Sequence, residues 1–227
     1  MTVIALVPVA ILGGLVGMDV VSFPQAMFSR PIVGATLAGA LAGDPLAGLL
    51  AGAVLEMLAM ETLPVGASRY PEWGSASVVG GVIAAGVPAA GAGSLVVGVL
   101  AALVTAWLGG WSMHFLRRAN GAWSLRARER LEAGDTHVVA VLQLRGLTAD
   151  FARAALLTAA VLTAARFSVP PIVARIGASN WILVFVVAAL GAAVTASSLW
   201  RLGPTAPRVR FGAALALGAG IAVAVSR

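Results

Sequence analysis

Long apolar runs alternate with short polar breaks along this chain, and the lengths of the runs define its elements. Val3–Met18 reads as a first helix, with Pro8 near its start and Gly13 and Gly17 together on one face. Asp19–Arg30 is a polar break that holds Pro24 and Gln25. Two apolar segments follow, Pro31–Ala42 and Leu46–Met60, parted by the breaker Gly43-Asp44-Pro45. Each is shorter than the about 20 residues a helix needs to cross a bilayer. The pattern predicts a re-entrant or broken-helix hairpin near residues 31–60, because interrupted helices sit at membrane depth only where protein or a wet cavity satisfies their backbone.

The second half is read the same way. Glu61–Trp73 is another polar break, and Ser75–Phe115 is apolar for about 40 residues, enough for two crossings with a turn near Ala90-Gly91. Arg117–His137 is the longest hydrophilic stretch and reads as a basic loop. Val138–Phe151 is mixed and is expected as an amphipathic helix along the interface, ahead of a span over Ala154–Val173 that carries Arg166 and Pro170-Pro171. Trp181–Trp200 has tryptophan at both ends, matching the two aromatic belts of a membrane. Arg201–Arg210 forms a second basic loop before the short run Phe211–Val225.

Composition turns this pattern into a class. The chain of 227 residues is 60% hydrophobic and only 11% charged, where a soluble domain carries about 25% charge. The expectation is an all-α, polytopic integral membrane protein, one membrane domain over residues 1–227. Its 27 glycines and 6% aromatics suit close backbone approach between helices. Cysteine is absent, which excludes disulfides and thiol catalysis. His114 and His137 are too few for a histidine metal site, and no metal or other cofactor is expected.

The net charge of +6 comes wholly from arginine. Those arginines lie in the breaks between apolar runs, so they report topology rather than nucleic-acid binding. They place Arg117–His137, a basic loop over residues 117–137, and Arg201–Arg210 on the cytoplasmic side of a multi-pass protein of the cell inner (plasma) membrane. With two crossings over Ser75–Phe115 Arg69 falls inside, and a re-entrant hairpin over Pro31–Met60 then puts Arg30 inside and the arginine-free N-terminus outside. No cleavable signal peptide is expected, since the first apolar run lacks a basic segment before it.

Few ionisable groups lie in or beside the apolar runs: Asp19, Arg30, Asp44, Glu56, Glu61, Glu72 and Arg166. Such groups are costly in a membrane and mark function by default. No nucleophile–base or metal-ligand arrangement assembles from them, and Glu56 and Glu61 do not share a helix face. The chemistry is that of binding and gating, not of an enzyme. Glu56 has two readings: its carboxylate accepts hydrogen bonds from the hydroxyls of a polar, uncharged ligand, or it pairs with Arg30 or Arg69 and pins the fold. Asp44, ahead of Pro45, is expected to cap a helix. His114 is expected at the interface beside Trp111, and Arg166 paired or snorkelling. Arg30, Asp44 and Arg69 are the structural or gating candidates.

Arg30-Pro31, Gly43-Asp44, Gly48, Leu55-Glu56, Gly66-Ala67 and the Pro71-Glu72 pair stand in one order within Asp19–Gly80. This set resembles the IIC subunit of the mannose/fructose/sorbose family of the phosphotransferase system (PTS), with Glu72 where that family more commonly has aspartate after proline. The resemblance implies a sugar permease subunit that binds and translocates a hexose or related sugar. It implies a membrane IID subunit as partner, an oligomeric assembly, and soluble IIA/IIB proteins whose phosphohistidines supply the phosphoryl group. It also implies Glu56 as a sugar contact, with Gln25 and the loop residues Pro64, Gly66 and Ala67 as further substrate-binding positions. Two alternatives stay open: a non-transporting scaffold or sensor subunit derived from such a permease, and a small-solute carrier working alone.

Overall fold

The computed structural model describes residues 3–60, 70–86 and 92–176. The described residues are helical, in the order α1 (Val3–Asp19), α2 (Pro31–Ala42), α3 (Pro45–Ala59), α4 (Trp73–Ala85), α5 (Ala92–Arg126), α6 (Arg128–Glu132) and α7 (Thr136–Ile176). The expected turn at Ala90-Gly91, the loop residues Pro64, Gly66, Ala67 and Arg69, the span Trp181–Trp200, the basic loop Arg201–Arg210 and the run Phe211–Val225 lie outside the described residues.

Helices α2 and α3 form the broken-helix hairpin that the sequence predicts. Proline opens each at its first turn, and Gly43 ends α2 in the left-handed region at φ 98°. Asp44 caps α3 as expected, its carboxylate accepting the Ala47 N–H at 2.9 Å. The arms run antiparallel with their backbones nearly touching: a Cβ added at Gly39 would lie 2.8 Å from the Gly48 Cα. At 12 and 15 residues the arms reach about 18 and 22 Å, short of the about 30 Å hydrocarbon core.

One expectation changes. Ser75–Phe115 does not form two equal crossings, because α4 has 13 residues, or about 20 Å. Its apolar run is long in sequence but is split unevenly, with the remainder going to α5. Helix α4 is buried on every side from Gly74 to Ala85, packed against α1, α2, α3, α5 and α7. A residue buried all round needs no polar face, so α4 reads as uniformly apolar and small. Val78, Val79, Val82 and Ile83 of α4 join Val9 and Val16 of α1, Val97 of α5, and Leu162, Ala165 and Val169 of α7 in the main core.

The two long helices differ from expectation as well. Arg117–His137 is helical rather than a loop: α5 continues through Arg126, α6 follows, and α7 starts at Thr136. Polarity alone does not separate a loop from a solvated helix, and this stretch is rich in the helix formers Ala, Leu, Arg and Glu. Breaks fall at Ala127 and at Gly134, which has φ 77°. Asp135 then closes the turn into α7, accepting N–H groups of His137 and Val138 at 3.0 and 3.2 Å and pairing with Arg130 at 2.7 Å. These bonds hold its carboxyl below the usual carboxylate range.

Val138–Phe151 is not a separate interfacial helix, since α7 runs unbroken from Thr136 to Ile176. What reads as a polar face there includes groups turned inward. Asp150 is 1% exposed, and Arg153 pairs with it at 2.9 Å. Arg153 also lies 3.9 Å from the Glu72 carboxylate, which is fully buried at the start of α4. Glu72 caps α4 through the Ser75 N–H at 3.0 Å and accepts the Ser75 hydroxyl. Ser22 donates to Asp150, and Arg153 donates to the Ser112 hydroxyl at 3.0 Å. One buried polar cluster thus ties the turn after α1 to α4, α5 and α7.

Arg153→Met should lower the stability of the detergent-solubilised chain by about 3–5 kcal/mol, because two carboxylates lose their buried counter-charge. Adding Glu72→Gln and Asp150→Asn should recover much of that loss. Thermal unfolding followed by tryptophan fluorescence checks both, and an Arg153→Met midpoint equal to the parent's would refute the account.

Candidate functional site

Three pieces of chain meet at the open end of the α2–α3 hairpin. They are the turn after α1, the facing ends of α2 and α3, and the strand of backbone from Tyr70 to Trp73. Between them lies a cavity of about 510 Å³, within the about 300–1,000 Å³ typical of small-molecule sites.

The first wall depends on Asp19. The carboxylate ends α1 at 2% exposure and accepts the Ala26 and Ser29 N–H groups at 2.7 and 2.8 Å. Between α1 and α2, Gln25 and Met27 take positive φ values of 59° and 65°. A residue with a Cβ holds that conformation only where its surroundings impose it. The two bonds to Asp19, at Ala26 between them and at Ser29 just beyond, supply that restraint. Both Gln25 and Met27 then line the cavity, and the Gln25 amide is tethered to the Val21 carbonyl at 2.9 Å.

The second wall is the Arg30–Glu56 pair. Arg30 stands at the N-cap of α2 and offers no side-chain cap to it. Glu56 reaches across from α3 instead, accepting the Ile32 N–H at 3.2 Å with one oxygen and pairing with the Arg30 guanidinium through the other. One of the orphan N–H groups at the start of α2 is thereby satisfied by the neighbouring helix. The Glu56 side chain is 14% exposed and that of Arg30 54%. Each carboxylate oxygen keeps acceptor capacity, and Arg30 keeps donors. An acceptor and a donor side by side on a cavity wall suit adjacent hydroxyl groups.

The third wall is pinned from behind. The Tyr70 hydroxyl accepts from Arg117 at 2.7 Å, with the guanidinium 5.0 Å from the ring centre. The Glu72 N–H donates to the Ala106 carbonyl at 2.9 Å. Helix α5 thus fixes the backbone that carries Tyr70, Pro71 and Trp73 to the cavity.

Of the positions singled out in the sequence, Glu56, Gln25 and Arg30 come together here. Glu56 makes the ion pair with Arg30 that the structural reading expects, and that pair faces the cavity. Asp44 sits at the closed end of the hairpin, where it caps α3 and takes no part in the site. Pro64, Gly66, Ala67 and Arg69 lie outside the described residues. Sequence reasoning missed Asp19, Met27, Ser29, Tyr70 and Trp73 as wall residues. Asp19 carried a signal, a lone acid at the end of an apolar run, and Tyr70 is the chain's single tyrosine.

An all-helical bundle with a polar cavity at the mouth of a broken-helix hairpin, and with two described helices long and apolar enough to cross a membrane, has the form of a membrane transport protein. The family model for the PTS system sorbose-specific IIC component matches residues 3–201. The chain belongs to that family, and it is the sugar-permease IIC component of a phosphotransferase system. Among curated proteins, none matches. A solved structure described as "Structure of membrane protein" superposes at TM-score 0.71 and 20% identity, over 99% of this chain and 95% of its own. The mannose transporter ManYZ in complex with microcin E492 superposes at TM-score 0.63 and 20% identity, over 97% of this chain and 87% of its own. At that identity both show the fold alone.

Asp19→Asn places an amide N–H₂ against one of the two backbone donors. Losing a charge-assisted bond of about 1.5–3 kcal/mol should speed amide hydrogen exchange at Ala26 or Ser29 by about tenfold or more. Exchange at both amides equal to the parent's would show that Asp19 does not hold the turn.

Proposed function

We propose that the cavity bounded by Asp19–Arg30, the Arg30–Glu56 pair and Tyr70–Trp73 binds the transported sugar, a hexose or related compound. The observation that carries this reading is the pair itself. A carboxylate at 14% exposure and a guanidinium at 54% exposure present an acceptor and donors to a site of sugar-holding size. Gln25 adds an amide, and Pro64, Gly66 and Ala67 are proposed as further contacts. Arg69, with Arg30, is proposed to gate or brace the mouth. The IIC chain performs no phosphoryl transfer in this reading. It works with a membrane IID subunit, in an oligomer, while cytoplasmic IIA/IIB proteins supply the phosphoryl group. The fold shared with a mannose transporter supports a sugar as the ligand class.

The chain is proposed to lie in the cell inner membrane as a multi-pass protein. The arginines of the α5 extension and α6, Arg117, Arg118, Arg126, Arg128 and Arg130, favour the cytoplasm for that end of the bundle. A reporter active only in the periplasm, fused near Asp135, should stay silent, and strong activity there would reverse the orientation.

Glu56→Gln tests the site. Arg30 is half exposed, so water replaces its lost partner and the subunit should fold and co-purify with IID. Sugar binding should weaken by about tenfold or more, the loss of one or two charge-assisted bonds at about 1.5–3 kcal/mol each. Normal assembly with undiminished binding would overturn the assignment of Glu56. Failure to assemble would make the pair a fold determinant instead.

A further inference from the structure

A second cavity, of about 360 Å³, lies between the extended halves of α5 and α7. Its walls are Ser22, Asn120, Trp123, Ser124, Gln143 and Gly146, with leucine at two further positions. We propose that it is a second sugar-binding site, distinct from the one at Glu56. The proposal rests on the reading of this chain as a sugar permease subunit.

Three observations carry it. The polar side chains of the wall are neutral, two hydroxyls and two amides beside one indole. The Ser22 and Ser124 hydroxyls already donate to Asp150 and to the Asn120 carbonyl and keep lone pairs to accept with, while the two amides both donate and accept, as a polyol needs, and the indole adds one donor. A phosphate or carboxylate ligand would call for cations in the wall, and the nearby Arg145 is instead stacked 3.8 Å from the centre of the Trp123 ring.

Asn120 supplies the second observation. Its Oδ1 is buried with no hydrogen-bond partner, the one such side-chain atom among the described residues. Buried polar atoms are nearly always paired, so this orphan, closed off from the cavity as the chain stands, is one that a turn of the Asn120 amide toward a ligand hydroxyl would satisfy. Gly146 keeps the space in front of that amide open. A Cβ there would lie 3.7 and 3.8 Å from the two amide atoms of Asn120, so a larger side chain would enter the cavity rather than clash with backbone.

The third observation is position. Ser22 belongs to the same α1–α2 connection whose residues Val20, Gln25 and Met27 line the first cavity. The two cavities are therefore adjacent, separated by one connection that Asp19 and the Ser22–Asp150 bond hold in place. The second lies toward the end of the bundle where Arg117–Arg130 gather.

Equilibrium dialysis of the purified IIC–IID complex against radiolabelled L-sorbose, D-mannose and D-fructose tests this. The parent should bind two molecules of one of these sugars per IIC chain. Gly146→Leu, which fills the cavity and favours the helix, should remove one and leave the other, and so should Gln143→Leu at an exposed position. Glu56→Gln should weaken the remaining one. A single bound sugar that weakens with Glu56→Gln and ignores Gly146→Leu overturns the second site and leaves the first. A single bound sugar lost in Gly146→Leu and indifferent to Glu56→Gln keeps the second site and overturns the first. Binding of none of the three sugars overturns both.

Discussion

The rest of the structure depends on the burial of Glu72. A carboxylate at 0% exposure in a protein this apolar requires partners, and the cluster that supplies them draws on three helices and the turn after α1. Ser75 caps it within α4, Arg153 brings in α7, and Arg153 in turn engages Ser112 of α5 and Asp150, which holds Ser22 beyond α1. Charge satisfaction in a low-dielectric interior thus fixes which elements meet at the start of α4. The cost of separating them is the cost of leaving a buried charge alone.

Close packing then does the rest. Helix α4 lies in the middle of the described bundle, and its neighbours approach it through glycine, alanine and serine. A Cβ at Gly80 would meet Leu55 and Ala102 side chains at 3.1 and 3.0 Å. In a bilayer, helices gain little by hiding apolar surface from lipid, so such contacts and the buried polar cluster hold the bundle together. The outer faces are left to larger residues such as Leu156, Phe167 and Trp107.

The cavity follows from this frame. Its third wall, Tyr70–Trp73, is the segment that delivers Glu72 to the core, so the buried cluster and the cavity share one stretch of chain. Its second wall uses Glu56 twice, to satisfy the α2 backbone and to face the cavity. A residue with both duties explains why a structural and a functional reading of the same carboxylate were each legible. The geometry joins them in one place: the ion pair lines the cavity.

Sequence by itself determined the membrane class, the hairpin and its proline starts and the Asp44 cap, because these rest on local rules of hydropathy, helix length and capping. The motif order from Arg30 to Glu72 also sufficed for the family. Tertiary structure alone decided that Asp150 and Arg153 face inward rather than toward an interface and that α4 is a short central helix. It also decided that Asp19 shapes the cavity. The physical reason is common to the polar groups among these. Periodicity reports that a residue is polar, but whether polarity meets water or a buried counter-charge depends on which distant segment arrives opposite it. Arg153 meets Glu72 across 81 positions of sequence, and no local pattern encodes that meeting.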